Sequence, residues 1–174
     1  MKLYSKCAHK ILLSSNSAKE DLKIVSDISN KKIEVNKFFF KVPSKDKLKK
    51  LSYLKRKYKL PKKYFYLPNQ YWEHKNHGIV IEALKKIREK KIFICSTGSK
   101  NDHRNSKYFL KLMKNLKKNK LENNYKYLGL VPYLDVMSLI YHSLAIINPS
   151  YFEGWSSTVE QANAYKKTII LSKI

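Results

Sequence analysis

The chain has 174 residues, of which 43% are hydrophobic, and a formal net charge of +24. This length suits one domain or slightly more, and the hydrophobic content is enough to bury a core. The absence of a long apolar run argues against a signal peptide and against a transmembrane helix. The spacing of Cys7 and Cys95 fits neither a metal site nor a disulfide framework, so we expect two separate, reduced thiols in a cytoplasmic protein.

Lysine supplies almost all of the positive charge, because only Arg56, Arg88 and Arg104 among the 37 basic residues are arginine. Proteins that read nucleic acids usually rely on arginine for bidentate contacts to bases and phosphates. The lysines are spread along the chain among Asn, Ile and Tyr, which share AT-rich codons, so a biased genome composition is one explanation of the charge. A basic surface that attracts nucleic acid, anionic lipid headgroups or nucleotide phosphates is the other.

Short elements are predicted in the N-terminal third of the chain. Residues 1–10 read as the end of a helix, and they are followed by a strand at 11–13, a helix at 18–25 and a strand at 31–35. Residues 38–43 are predicted to be a linker between domains, or an aromatic wedge packed between them. Ser44 can cap a lysine-rich helix that ends near residue 59, which we interpret as a solvated face without a function.

From residue 64 onward, apolar runs that suit buried strands alternate with helical patterns, which predicts a Rossmann-like, doubly wound parallel α/β sheet. The predicted strands are 64–67, 91–97, 125–128, 144–147 and 168–171, and the predicted helices are 76–89, 106–118 and 133–141, with a further helix carrying Glu160. Gly98, Gly129 and Gly154 each follow a strand, at the edge of the sheet where ligands bind. This fits a crevice where the backbone comes close to a ligand, although glycine is also common in ordinary turns.

The segment 148–160 reads Asn-Pro-Ser-Tyr-Phe-Glu-Gly-Trp-Ser-Ser-Thr-Val-Glu and connects a buried strand to a helix. Ser156 or Ser157 can cap that helix, whose free N–H groups and dipole suit a phosphate. Glu153 and Glu160 can both reach one ligand there, and carboxylates accept hydrogen bonds from hydroxyls such as those of sugars and ribose.

A purely structural interpretation of the same turn remains open. Ser157 and Glu160 have the Ser-x-x-Glu spacing of a capping box, which stabilises a helix start without binding any ligand. Gly154 is explained by either interpretation, because it allows close approach of the backbone to a ligand and also suits a turn.

The loop before the helix predicted at 76–89 carries a second candidate group. Lys75 directly precedes that helix, where a cation and the helix N-terminus can together hold a diphosphate. His74 and His77 flank Lys75, but a metal site there would lack a third ligand, so we expect hydrogen bonding within the loop. Further along, Arg104 is expected to pair with Asp102 rather than with a ligand.

The segment 148–160 resembles the signature of family 4 (group 1) glycosyltransferases, enzymes with the two-domain GT-B fold. That signature has Pro-Ser, then Glu-Gly, then a second Glu that opens a helix. The two glutamates here enclose six residues, as in a subgroup written Phe-Glu-Gly-Trp-Ser-[Ser/Thr]-x-Val-Glu, whereas the wider family has seven. Residues 67–77 resemble the first strand and phosphate loop of that subgroup's C-terminal domain, and residues 127–132 resemble its base-binding turn.

The resemblance implies a retaining, hexosyltransferase-like enzyme that transfers a sugar from a nucleoside diphosphate sugar to a polysaccharide, lipid or other glycan, with neither a metal nor another cofactor. It assigns donor-sugar hydroxyls to Glu153 and the diphosphate to Lys75, which are the two catalytic candidates. It assigns the ribose hydroxyls to Glu160. The other donor-binding candidates are Gln70, where the wider family has a diphosphate-binding Arg nearby, and Gly129, Val131, Tyr133, Gly154, Trp155, Ser156, Ser157 and Thr158.

The resemblance also implies a domain organisation. Residues 1–37 would end an N-terminal acceptor-side domain, 38–60 would form a linker and connecting helix, and 61–174 would form part of a nucleotide-sugar-binding domain. We therefore expect a fragment that turns over poorly by itself, located in the cytoplasm with a peripheral contact to an anionic inner membrane face. The alternative is a basic, non-catalytic module for nucleic acid or anionic membrane, whose binding would depend strongly on salt.

Overall fold

The computed structural model describes residues 7–37, 40–87 and 91–173. The chain divides into two compact units, Met1–Lys41 with Glu153–Ser156, and Val42–Phe152 with Ser157–Ile174. The predicted helix end at residues 1–6, the first two aromatics of the predicted linker at 38–39 and the predicted helix end at 88–89 lie outside the described residues.

The smaller unit contains two short parallel strands joined by a helix. Strand β1 (Ile11–Leu13) pairs with β2 (Ile33–Val35), and helix α1 (Asn16–Val25) lies between them in the chain. The Ser15 hydroxyl caps α1 by accepting a hydrogen bond of 3.1 Å from the backbone N–H of Ala18. This helix starts two residues before the predicted position because the cap fixes its first turn.

The larger unit is built on five parallel strands. They are β3 (Phe65–Leu67), β4 (Ile94–Ser96), β5 (Tyr125–Tyr127), β6 (Ala145–Asn148) and β7 (Thr168–Leu171). Their spatial order is β5-β4-β3-β6-β7, so the chain winds outward from the central β3 to β5 and then returns to the other side of β3. The predicted doubly wound parallel sheet is therefore confirmed, with each strand within three residues of its predicted bounds.

Helices cover both faces of this sheet. They are α2 (Leu51–Tyr58), α3 (His77–Ile87), α4 (Tyr108–Lys118), α5 (Tyr133–His142) and α6 (Ser157–Ala164). Helices α3 and α4 share one hydrophobic core with the sheet, and α2, α5 and α6 share the other. Among the described residues, no helix is long and apolar enough to cross a membrane.

The two cores arise from the alternation of side chains along each strand. Tyr66 and Ile146 point into the core beneath α5, whereas their chain neighbours Leu67 and Ile147 point into the core beneath α3 and α4. Strands buried on both faces read as continuous apolar runs, which is why they could be located from the sequence. Cys95 is buried in the α5-side core, and both it and the exposed Cys7 are free thiols, as expected.

The helix predicted over residues 44–59 is wrong at its start and in its interpretation. Ser44 makes no side-chain cap hydrogen bond and precedes a 3-10 turn at Lys45–Lys47, and α2 begins only at Leu51. Leu54 is 0% exposed in the core shared with α5, so one side of α2 is buried rather than solvated. Packing of this apolar stripe, rather than the cap signal, decides where the helix forms.

Candidate functional site

The carboxyl ends of β3 and β6 mark the place where the strand order of the sheet reverses. The two strands share a single register pair, Tyr66 with Ile146, after which their chains lead into separate loops. Ligands of doubly wound sheets bind in the crevice at such a switch point. The loop that follows β3 and the segment that leads from β6 to α6 are therefore the candidate ligand-binding segments.

Lys75 lies at this edge of the sheet. It ends a one-turn 3-10 helix and is half-buried, and Asn76 alone separates it from α3, which starts one residue later than predicted. Burial raises the pKa of Tyr108, and the backbone N–H groups of His77 and Gly78 at the start of α3 act to lower it. The Lys75 ammonium adds its own positive charge beside this helix start.

Helix α6 provides a second anion-binding element at the same edge. It begins at Ser157, and Glu160 lies in its first turn and is half-buried, which confirms the predicted position of this carboxylate. Ser157 is already inside the helix, so the pair Ser157 and Glu160 lacks the N-cap-to-N3 register of a capping box. Thr158 is buried beside them. The N–H groups of this first turn point toward the carboxyl edge of the sheet, where they favour an anion.

The residues assigned to the base lie at the carboxyl end of β5, two strands from β3. Gly129 has a φ of +76° that favours glycine, and its carbonyl oxygen accepts a hydrogen bond of 3.0 Å from the N–H of Gly98. Val131 is half-buried against the core, and Tyr133 begins α5 with 51% of its surface exposed. Gly129, Val131 and Tyr133 thus lie along the carboxyl edge of the sheet and do not cover it.

The loops after β3 and β4 are closed tightly on each other. Gly98 has a φ of +140°, and a Cβ atom there would lie 2.3 Å from the carbonyl oxygen of Asn69. The Gln70 side-chain oxygen accepts a hydrogen bond of 2.5 Å from the N–H of Ser99, and the N–H of Tyr71 donates to the Ser99 carbonyl at 2.9 Å. Glycine is therefore required at position 98 because the backbone of Asn69 lies so close. The side-chain oxygen of Gln70 is already bonded to the Ser99 N–H within these loops.

A buried aromatic cluster beneath the Lys75 loop was not foreseen from the sequence. Tyr71 is fully buried, and its hydroxyl lies 2.5 Å from the Ser96 hydroxyl and 2.7 Å from that of Tyr125. Its ring stacks on His77 with 4.1 Å between centroids. Neither ring nitrogen of His77 has a hydrogen bond of normal geometry among the residues that the structure describes, although the backbone of Asn69 in the same loop acts on its pKa, so the expected loop hydrogen bonding stays a prediction. Burial lowers the pKa of His77 to about 3, although the backbone of Asn69 acts to raise it.

Two further contacts join the loop after β3 to the segment after β6. The side-chain amide of Asn69 donates a hydrogen bond of 2.9 Å to the side-chain oxygen of Asn148. The N–H of Tyr151 donates to the carbonyl oxygen of His74 at 2.8 Å, and the His74 ring stacks on Phe152. The sequence gives no local signal for these pairs because their members are far apart in the chain.

The predicted pair of Arg104 with Asp102 is confirmed. The backbone N–H of Arg104 donates to the Asp102 carboxylate at 3.0 Å, and its Nε donates to the same oxygen at 3.2 Å. Burial acts to raise the pKa of Asp102, but the hydrogen bonds from Arg104 outweigh it and hold that pKa below its usual value. The second oxygen accepts from the N–H of Glu73 at 3.3 Å, so Asp102 also orders the start of the 3-10 turn that contains Lys75.

Four of the candidate residues belong to the smaller unit, namely Glu153, Gly154, Trp155 and Ser156. The carbonyl oxygen of Gly154 accepts a hydrogen bond of 3.3 Å from the Ser14 hydroxyl. The indole N–H of Trp155 is buried, and it has no partner within the described part of the chain. The assignment of these four residues to a common site with Lys75 and Glu160 stays a prediction.

The family of the chain follows from a match that covers most of the larger unit. The profile described as glycosyl transferases group 1 matches residues 54–174, which is more than half of the chain. The chain belongs to this family. The match includes both segments at the switch point, so it covers the Lys75 loop and α6. A search of curated protein sequences gives no match.

Solved structures confirm the fold of this member of the group 1 family. A glycosyltransferase from Rickettsia africae superposes on 100% of the chain with a TM-score of 0.83 and 21% identity, and 48% of its own length is covered. Anabaena HepE, in complex with UDP and glucose, matches 98% of the chain with a TM-score of 0.83 and 17% identity, over 46% of its length. Sucrose-phosphate synthase from Thermosynechococcus elongatus matches 96% with a TM-score of 0.76 and 14% identity, over 41% of its length. The chain thus spans less than half of the length of each of these structures.

Proposed function

We propose that this chain binds the nucleoside diphosphate sugar of a glycosyltransferase reaction. The observation that carries the proposal is that Lys75 and the first turn of α6, with Glu160, both lie at the carboxyl edge of the strands where the sheet order reverses. Membership of the group 1 family supports it, as do the UDP and UDP-glucose bound to the structurally similar Anabaena HepE.

In this proposal, each element of the site has one role. The Lys75 ammonium and the N–H groups at the start of α6, Ser157 and Thr158 among them, hold the diphosphate. They stabilise the negative charge that grows on it as the bond to the sugar's anomeric carbon breaks. Glu160 accepts hydrogen bonds from ribose hydroxyls. The base lies against the turn formed by Gly129, Val131 and Tyr133.

The assignments outside the larger unit extend the same proposal. Glu153 accepts hydrogen bonds from the hydroxyls of the donor sugar, and Gly154, Trp155 and Ser156 line the path to the diphosphate. An acceptor hydroxyl forms the new bond to the anomeric carbon on the face that the diphosphate leaves, and its proton passes to the departing diphosphate. This is hexosyl transfer with retention, and no metal or other cofactor is part of it.

The acceptor that we propose is a glycan or lipid-linked glycan, as in polysaccharide biosynthesis. The net charge of +24 supports a peripheral contact with anionic lipid headgroups, on the cytoplasmic face of a membrane. The same charge also attracts the diphosphate of the donor toward the sheet edge. No specific nucleic acid partner is part of the proposal.

Titration calorimetry on the 174-residue chain tests the donor site. We expect Glu160→Ala to weaken binding of UDP and of uridine by about 1.5–3 kcal/mol, because hydrogen bonds to a charged group are lost. We expect Lys75→Ala to weaken UDP binding more than uridine binding, because it removes only the phosphate contact. Lys111→Ala, which removes an exposed charge from α4, is the matched control and should leave both affinities unchanged.

The titrations are repeated with ADP and GDP, so that binding is still detected if the chain prefers a base other than uracil. The proposal is wrong if both site variants bind every nucleotide diphosphate as tightly as the parent chain does.

A further inference from the structure

We propose that Asn69 and Asn148 are positioning residues, whose hydrogen bond fixes the Lys75 loop against the segment that leads into α6. The inference rests on the proposed function of these two segments in holding a diphosphate. It concerns two side chains that have no role of their own in binding the ligand.

The pair lies just beyond the point where β3 and β6 are paired in the sheet. The register between these strands contains Tyr66 with Ile146, and after this pair the two chains lead toward the crevice in separate loops. Asn69 and Asn148 follow within three residues of this pair, and their side chains meet at 2.9 Å. Each is only 4% exposed, and the Oγ atom of the fully buried Ser150 lies 3.4 Å from the same Asn148 oxygen.

A second set of contacts carries this connection to Lys75. The N–H of Tyr151 donates to the carbonyl oxygen of His74 at 2.8 Å, and Lys75 is the next residue in the chain. The rings of His74 and Phe152 stack with 4.7 Å between centroids and 19° between planes. Beyond the asparagine pair, the backbone next to Lys75 therefore contacts two successive residues of the segment after β6, Tyr151 and Phe152.

The chemistry of the pair favours positioning over simple stabilisation. Burying two amide side chains costs free energy unless they bond to each other, and a pair of apolar side chains of similar size would stabilise the same contact at least as well. A hydrogen bond fixes a distance and a direction, which apolar packing does not. A diphosphate held by a cation on one segment and by helix N–H groups on the other requires the two segments to keep a fixed distance and direction, since a shift of about 1 Å between them can cost about a hundredfold in function.

The experiment breaks the pair from each side and compares it with a matched asparagine. The variants are Asn69→Leu, Asn148→Leu and the double variant. The control is Asn124→Leu, because Asn124 donates a hydrogen bond of 2.8 Å to the Ile92 carbonyl at the opposite, amino-terminal edge of the sheet. Two quantities are measured on the full chain, the affinity for UDP by calorimetry and the exchange rate of the Tyr151 amide by NMR.

We expect each single variant to weaken UDP binding by about tenfold or more and to speed exchange at Tyr151 by a similar factor. The double variant should weaken UDP binding as the single ones do, because the direction of the hydrogen bond is lost in all three, but it should be more stable than they are, because no buried amide is left unpaired. Asn148→Asp keeps an acceptor for Asn69, so it should retain slow exchange at Tyr151, and it serves as the folded comparison if a leucine variant does not fold. Asn124→Leu should lower the melting temperature without changing either quantity.

Two results would overturn the inference. One is unchanged exchange at Tyr151 in both single variants. The other is faster exchange with unchanged UDP affinity, which would make the pair a structural bond only. If the parent chain binds no nucleotide diphosphate, the proposed function fails instead, and the Tyr151 exchange rates still decide whether the pair fixes the two segments.

Discussion

His77 shows how one buried side chain makes the site region sensitive to pH. Its ring is fully buried, stacks on Tyr71 and has no hydrogen-bond partner among the described residues. A charged imidazole in this position would have neither water nor a carboxylate to stabilise it, so the folded protein keeps the ring neutral. Protonation of His77 therefore lowers the free energy of unfolding, rather than the affinity for a ligand.

We predict that His77 makes the chain lose stability in mild acid. The pKa of His77 is about 3 in the folded state against a usual value of 6.5, so its contribution is complete above pH 6.5 and is lost as the pH falls toward 3. The difference of 1.5 pH units between pH 6.5 and pH 5 corresponds to about 2 kcal/mol at pH 5. His77→Phe keeps the stacking and removes this part of the pH dependence.

Urea unfolding of parent and variant at neutral pH and near pH 5 measures the difference. His103→Phe, which makes the same substitution at an exposed position, is the control. An identical loss of stability in His77→Phe and the parent would show that other groups cause the acid sensitivity.

At the scale of elements, the strands were predictable and the contacts between loops were not. β6 and β7 were located correctly from their branched apolar runs, although the expected burial of β7 is wrong, because this edge strand is largely exposed. Glu160 was placed in the first turn of α6 from its local pattern. By contrast, Asn69 and Asn148 are 79 residues apart, and nothing in either local sequence indicates the other. The start of α2 was missed because packing of Leu54, a tertiary effect, overrides the cap signal at Ser44.

Gly98 gives a prediction for the junction of the loops after β3 and β4. In Gly98→Ala the new methyl group would lie 2.3 Å from the backbone oxygen of Asn69, at a φ of +140° that L-residues rarely adopt. We expect a loss of about 1–3 kcal/mol or more in the free energy of unfolding. Gly78→Ala, within α3, is the matched control, since its methyl group would meet only a side-chain carbon of Leu112 at 3.9 Å.

The control should be neutral or more stable by about 0.5–1 kcal/mol, because alanine loses less conformational freedom than glycine in a helix. Denaturant unfolding of both variants measures the contrast. Equal stabilities of Gly98→Ala and the parent would mean that the two loops separate freely, which would also contradict a fixed Lys75 loop.

At the scale of the whole molecule, two surface features bear on the ligand. An apolar pocket of about 340 Å³ lies between α3 and the strands β6 and β7, lined mainly by side chains such as Ile79, Ala83, Ile87, Ile170 and Leu171. It offers few hydrogen-bonding groups, so its chemistry does not suit a nucleotide. The positive charge, in contrast, is spread over the chain, and its field favours any polyanion as well as a nucleotide.

Salt dependence separates a local nucleotide site from a diffuse basic surface. UDP carries few charges and would be held by Lys75, α6 N–H groups and hydrogen bonds to Glu160, so we predict that its affinity falls by less than about tenfold between about 50 mM and about 200 mM salt. A DNA duplex bound by many lysines releases many counterions, so its affinity should fall by about a thousandfold or more over the same range. Calorimetry with UDP and fluorescence anisotropy with a short duplex measure the two slopes. Duplex binding with this steep salt dependence that UDP does not displace, in a chain that shows no UDP site, would support the basic binding module instead.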